Sequence, residues 1–265
     1  VRRLFASVLV TGVSLLASSA EAYRPFDGTD ADVAERGSFE LELGPAHWYD
    51  AGGRNYLVAP ATVLNLGILE DTELVFDFED FVALGPLEGR PRVALLGTDV
   101  LVKHVFREGV LQGKSGLSFA VEAGPLLPEY NGSEAFGASF NALFSYRWSW
   151  GTLHFDEWPS YTREHRLDVF SGIIVEGPHD WIVRPVSEVF FEKELHGAQA
   201  ESVLLGAIGT VRESFVVDAA FRVARVGDTN AAEVRFGFTW SIPVWLPAEN
   251  AGGRQAAVRP MQTQL

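Results

Sequence analysis

Ionisable side chains recur in this 265-residue chain at positions that alternate with apolar ones. The eleven that stand out are Asp77, Asp99, Lys103, Glu122, Arg147, Asp168, Arg184, Glu188, Asp218, Arg222 and Arg235. Side chains alternate across a strand, so such residues gather on one surface and their Phe, Val and Leu neighbours on the other. Charges of both signs on one enclosed surface must pair or hydrate, because a lone buried charge is costly. Their expected role is therefore mutual neutralisation and charge selection within an interior, a lumen-lining set and not a catalytic one.

Covalent and metal chemistry find little support. There is no cysteine, which removes thiol nucleophiles, disulfides and Cys-ligated metals. Hydrolysis needs a histidine beside a serine and an orienting acid. Of the six histidines, only His165 has such neighbours, Ser160 and Asp168, which makes a lipid hydrolase an alternative reading. No G-x-S-x-G, H-E-x-x-H or phosphate loop occurs. Asp27, Asp30 and Asp32 lack the glycine and closing glutamate offsets of a calcium loop. No catalytic residue, metal or cofactor is expected, and a net charge of −14 argues against nucleic acid as a partner.

The elements that carry these residues are strands. The most regular is Ala231–Trp245, where Val234, Phe236, Phe238, Trp240, Ile242 and Val244 alternate with Arg235, Gly237, Thr239 and Ser241. Glu134–Trp148 repeats the pattern, with Phe136, Phe140, Phe144 and Tyr146 set against Asn141, Ser145 and Arg147. Further alternating runs are Ser38–Ala46, Asn55–Leu66, Thr72–Leu84, Leu95–Arg107 and Gly116–Gly124. The chain continues with Trp150–Trp158, Glu164–Glu176, Trp181–Leu195, Gln199–Val211 and Glu213–Val226. About twelve short strands with turn signals between them make an all-β sandwich or barrel. In Asn55–Leu66 the pattern places Tyr56, Val58, Leu64 and Leu66 on one face, and Trp48–Arg54 reads as a loop. Connections after the first, third, fifth and seventh strands are expected to be the longer ones.

Two features favour a closed antiparallel transmembrane β-barrel. The aromatics Trp48, Tyr49, Tyr56, Trp148, Trp150, Trp158, Tyr161, Trp181 and Trp245 fall near strand ends, where an interfacial girdle belongs. The N-terminus also has the form of a cleaved signal peptide over 1–22. Arg2 and Arg3 precede an apolar Leu4–Leu16, and Ala20-Glu21-Ala22 supplies the small-x-small site before Tyr23. The domains expected are the leader, a periplasmic or plug-like arm at 23–37, the barrel at 38–245 and a flexible tail at 246–265.

The mature start R-P-F at Arg24–Phe26, T-D-A-D at Thr29–Asp32 and G-S-F-E-L-E at Gly37–Glu42 resembles a known family. It is similar to the outer-membrane proteins related to those of the phenol meta-cleavage pathway. Gly97–His104, with Asp99 and Lys103 four apart, resembles a later strand of that family. Gly28 and the spread of Thr29, Asp30 and Asp32 depart from its opening motif, and twenty residues follow Trp245. The resemblance implies a porin-like passive conduit or binding barrel in the bacterial outer membrane, surrounded by lipid, for small hydrophobic or aromatic compounds. A filled structural barrel without transport is the other alternative.

Overall fold

The computed structural model describes residues 24–86 and 91–244. The expected leader, Tyr23, Trp245, the tail and residues 87–90 of the Gly85–Pro91 loop lie outside the described residues. In chain order the strands begin with β1 (Ser38–Gly44), β2 (His47–Ala51), β3 (Arg54–Leu69), β4 (Thr72–Ala83) and β5 (Val93–Arg107). Next come β6 (Ser118–Leu126), β7 (Gly137–Trp148), β8 (Gly151–Tyr161) and β9 (Leu167–Glu176). The last are β10 (Val183–Glu194), β11 (Gln199–Arg212), β12 (Phe215–Val226) and β13 (Thr229–Pro243).

Each strand from β2 onward pairs antiparallel with the next, in one sheet. Both β1 and β2 lie between β3 and β13, so they are two halves of one strand position. Leu41 stands opposite Leu64 and Trp240, while Trp48 stands opposite Leu57 and Val234. The sheet therefore closes as twelve strand positions among the described residues, and closure leaves no edge to be satisfied. From β3 onward the strands are 9 to 16 residues long, and about 9–11 tilted residues cross a bilayer core.

The divided first strand corrects the expected loop at Trp48–Arg54. His47–Ala51 is extended, and the turn shrinks to Gly52-Gly53, both at positive φ, a conformation glycine adopts without steric cost. The connection expected to be long thus has two residues. The break falls instead at Pro45-Ala46, across from Ala59-Pro60, and neither proline can donate to the ladder. At Ala59-Pro60 an extra residue in β3 shifts its register against β4. A one-residue slip exchanges the faces. Tyr56 and Val58 therefore turn inward and Leu64 and Leu66 outward, which corrects the single face read from their even spacing.

Burial is inverted relative to a soluble protein. Glu42, Glu73, Lys103, Asp156 and Glu188 are at most 1 % exposed, whereas Phe236 is 56 % and Phe140 51 % exposed. A sandwich in water would hide the phenylalanines between its sheets, so the sandwich reading falls. On the outer face the rings of Phe119 and Phe144 stack 4.9 Å apart. Trp148 and Trp150 stack at 5.2 Å, and Trp181 and Trp240 are also exposed at the same end, where β1 begins and β13 stops (the terminal end). Trp48, Tyr130 and Tyr161 are exposed at the distal end.

Three residues assigned to the girdle belong inside. Tyr49 and Tyr56 sit 6.0 Å apart on the inward register, with Phe81 edge-on to Tyr49. Trp158 stacks on Phe170 at 4.8 Å, and Phe170 lies 4.8 Å from Phe190. Their place near strand ends masked their parity, which is even with the buried His154 and Asp156 for Trp158.

Candidate functional site

Residues 24–34 have no strand partner, so their backbone N–H groups must be satisfied otherwise. They run inside the barrel, where strand side chains accept from them. Arg24 N–H donates to Glu42 Oε2 at 3.2 Å. Asp27 and Gly28 donate to the two oxygens of Glu188 at 2.9 and 2.7 Å. Thr29 donates to Asp156 Oδ2 at 3.0 Å, Ala31 to Ser145 Oγ at 3.0 Å, and Ala34 to Glu73 Oε2 at 2.6 Å. A Cβ on Gly28 would lie 2.2 Å from Asp156 Oδ2, so the close approach needs glycine here.

Charge fixes the same segment laterally. Asp27 Oδ1 accepts from Arg235 Nη2 at 2.7 Å and from Arg222 Nη1 at 3.1 Å. Both guanidinium groups also hold Glu233 Oε2, at 2.9 and 2.6 Å, and Arg235 Nη1 donates to the Pro25 carbonyl at 2.7 Å. Arg24 donates to His47 Nε2 at 2.7 Å and lies 3.5 Å from Asp218. Lys103 Nζ donates to Thr29 Oγ1 at 3.2 Å and stands 3.6 Å from Glu73 and 3.8 Å from Asp30. Charge-assisted bonds of this kind are about twice as strong as neutral ones. Phe26 packs against the inward Val186, Ile208 and Val216.

Beyond this segment a cavity of about 540 Å³ remains. Asp77, Asp99, Lys103, Glu122, Asp168, Arg222 and Arg235 line it. Arg184, Glu188 and Asp218 are buried elsewhere in the interior, and half-buried Arg147 donates to Thr152 Oγ1 at 3.1 Å near the terminal end. The eleven therefore do not form one constellation. Arg184 pairs with Glu176 at 3.6 Å and donates to His179 Nδ1 at 2.9 Å, in the β9–β10 connection. Lost hydration, then the positive Arg147 and Arg184, push the His179 pKa down to about 4. A neutral imidazole is the form that can accept from Arg184.

Ser160 and Asp168 are cross-strand partners, but His165 sits in the turn at φ +60° and stacks on Tyr161 at 5.4 Å. No hydrogen bond joins the three among the described contacts. A different relay is present: Ser145 Oγ lies 2.8 Å from His154 Nδ1, and His154 Nε2 lies 3.4 Å from Glu176. Ser145 is fully buried, and the Ala31 N–H occupies its oxygen, so the relay serves to hold the segment in place. Pairing outward from the Ser149-Trp150 turn would have brought Ser145 to His154. Alternation would have added Glu42, Glu73 and Asp156, but nothing in the sequence says that an aperiodic segment enters between them. Among the described residues no His/Asp/Glu group has the arrangement to hold a metal ion.

No family model and no curated protein matches the sequence. The chain is similar in structure to an outer-membrane channel of the COG4313 group from Pseudomonas putida F1. The TM-score is 0.58 at 7% identity, covering 82% of this chain and 100% of that one. It is also similar to the KdgM porin solved in complex with disordered oligogalacturonate. There the TM-score is 0.50 at 12% identity, covering 77% and 99% of the two chains. At such identities the likeness concerns the fold, and the fold is that of a closed, twelve-position outer-membrane β-barrel.

Proposed function

We propose that the chain is a porin-like passive conduit or binding barrel of the bacterial outer membrane, narrowed by residues 24–36 acting as an internal plug. The observation that carries this reading is the inverted burial. Phenylalanines on the outer wall suit hydrocarbon, and ion pairs on the inner wall suit a hydrated or ligand-filled interior. Twelve strands lie between the roughly eight whose interior fills and the sixteen to eighteen that leave a water channel. A narrow lumen suits small solutes, and the Trp158–Phe170–Phe190 stack supports compounds with an apolar or aromatic body. In this reading the eleven ionisable residues line the lumen, chiefly as partners of one another and of the plug, and 1–22 directs export. The likeness in fold to two channels supports it, as does the resemblance of the mature start to the phenol meta-cleavage outer-membrane proteins.

Single-channel recording in planar bilayers tests this. The full chain should show small, discrete conductance, and a chain lacking 24–36 a larger one. One observation favours the filled structural barrel instead, namely the dense bonding of 24–34 to the wall. Silent bilayers from both forms would establish that alternative.

A further inference from the structure

The lining of the interior cavity is unbalanced. Nine carboxylates face it against four Lys or Arg and one histidine. The four bases are already committed: Arg24 to Asp218, Lys103 to Glu73 and Asp30, and both Arg222 and Arg235 to Asp27 and Glu233. Asp77, Glu79, Asp168 and Glu192 have no basic side chain within ion-pair distance among the described residues. Asp168 and Glu192 hydrogen-bond to each other, and the rings of Trp158, Phe170 and Phe190 lie on the same wall.

Unused polar atoms on the same lining point the same way. Asn65 is 1 % exposed and lines the cavity; its Nδ2 donates to Glu42, but its Oδ1 accepts nothing. Buried Thr62 Oγ1, also on the lining, has no partner. Buried acceptors without donors carry a cost that a donating ligand removes. The unpartnered donors there are Trp158 Nε1 and the Nε atoms of Arg24 and Arg235, whose guanidinium groups are already paired through their charge; a hydroxyl or carbonyl on the ligand fits Trp158.

We propose that this cavity binds an organic cation with a flat apolar body, the charged head among the carboxylates that lack a basic partner and the body against Trp158, Phe170 and Phe190. The proposal deepens the conduit reading and rests on it, by naming the class of solute the interior selects. Ring faces attract cations, carboxylates add to that attraction, and both repel an anion. The volume falls within the roughly 300–1,000 Å³ typical of small-molecule sites.

The test is calorimetric titration of the full chain in detergent micelles with benzyltrimethylammonium, benzyl alcohol and benzoate. These share a ring and differ in charge. The cation should bind about tenfold more tightly than the alcohol, and benzoate should not bind measurably. The Asp168→Asn, Glu192→Gln double variant should lose about tenfold for the cation and little for the alcohol. Equal binding of cation and alcohol, tighter binding of benzoate, or an unchanged double variant would overturn the proposal. Heat-modifiable gel mobility shows whether the variant folds; if it does not, the ranking of the three probes on the native chain decides. Conductance of the same preparation separates the two readings. Cation binding without conductance removes the conduit and keeps the site, and conductance without cation preference does the reverse.

Discussion

At the scale of single residues, the interior depends on charges that cannot be removed one at a time. Arg235 neutralises Asp27 and Glu233 together, and it is buried. Replacing it by leucine leaves the two carboxylates to Arg222 alone, one negative charge in excess, and an uncompensated buried charge costs about 3–5 kcal/mol. Arg235→Leu should lower the urea midpoint of the folded barrel in detergent by a corresponding amount, and adding Glu233→Leu should restore part of it. His179 gives a pH signature. Its folded pKa of about 4 lies below the unfolded value of about 6.5, so between these the unfolded chain binds the extra proton. Stability from this residue is present above pH 6.5 and is lost as the pH falls toward 4. His179→Asn should flatten that part of the stability profile, and an unchanged profile would exclude the arrangement. Much of this scale can be read from sequence, because parity along a strand is local: Lys103, Glu188 and Arg235 alternate with apolar neighbours, and the structure buries all three. The partners they hold were not legible, since Asp27, Asp30 and Thr29 lie in a segment without period.

At the scale of elements, alternation located the strands well, and departures occur where the backbone leaves the regular ladder. The extra residue at Ala59-Pro60 turns Leu64 away from Val58, and no count of apolar residues reveals it. The two positive-φ glycines at 52 and 53 were visible, but they bounded a hairpin two residues long, not a loop. From sequence the internal segment reads as an acidic, aperiodic arm, periplasmic or plug-like, with no indication of its path. Its path follows from glutamates and aspartates of five strands, β1, β4, β8, β10 and β12, four of them distant from it in sequence. At Gly28 the segment passes so close to the wall that a side-chain carbon would lie 2.2 Å from Asp156 Oδ2. Gly28→Val should therefore loosen the segment while leaving the strands paired. The expected readout is protease cleavage within 24–36 together with unchanged heat-modifiable mobility, and full protection would argue that the segment adapts.

At the scale of the whole molecule, the two surfaces are exchanged relative to a water-soluble fold, and the closed sheet makes that exchange stable. The class of fold was legible because the apolar face carried large aromatics to the strand ends while the opposite face held charge. The shape of the interior was not, because cavity and filling arise from distant strands meeting across the barrel. The acidic lining predicts a direction of ionic preference. In a potassium chloride gradient the reversal potential should have the sign of cation selectivity, and acidifying the bath should reduce it as carboxylates are protonated. An anion-selective reversal potential would contradict the acidic lining of the interior.

The segment at 24–34 touches side chains from β1, β4, β5, β7, β8, β10, β12 and β13. It is thus a hub with spokes to eight of the barrel's twelve staves, and that geometry bears on the order of assembly. A finished cylinder would have to admit the hub by threading through one mouth, whereas a half-wound sheet can curl around it. Refolding of a chain that starts at Gly37 should then reach the heat-modifiable form more slowly than the full chain, because its staves lack a common axle.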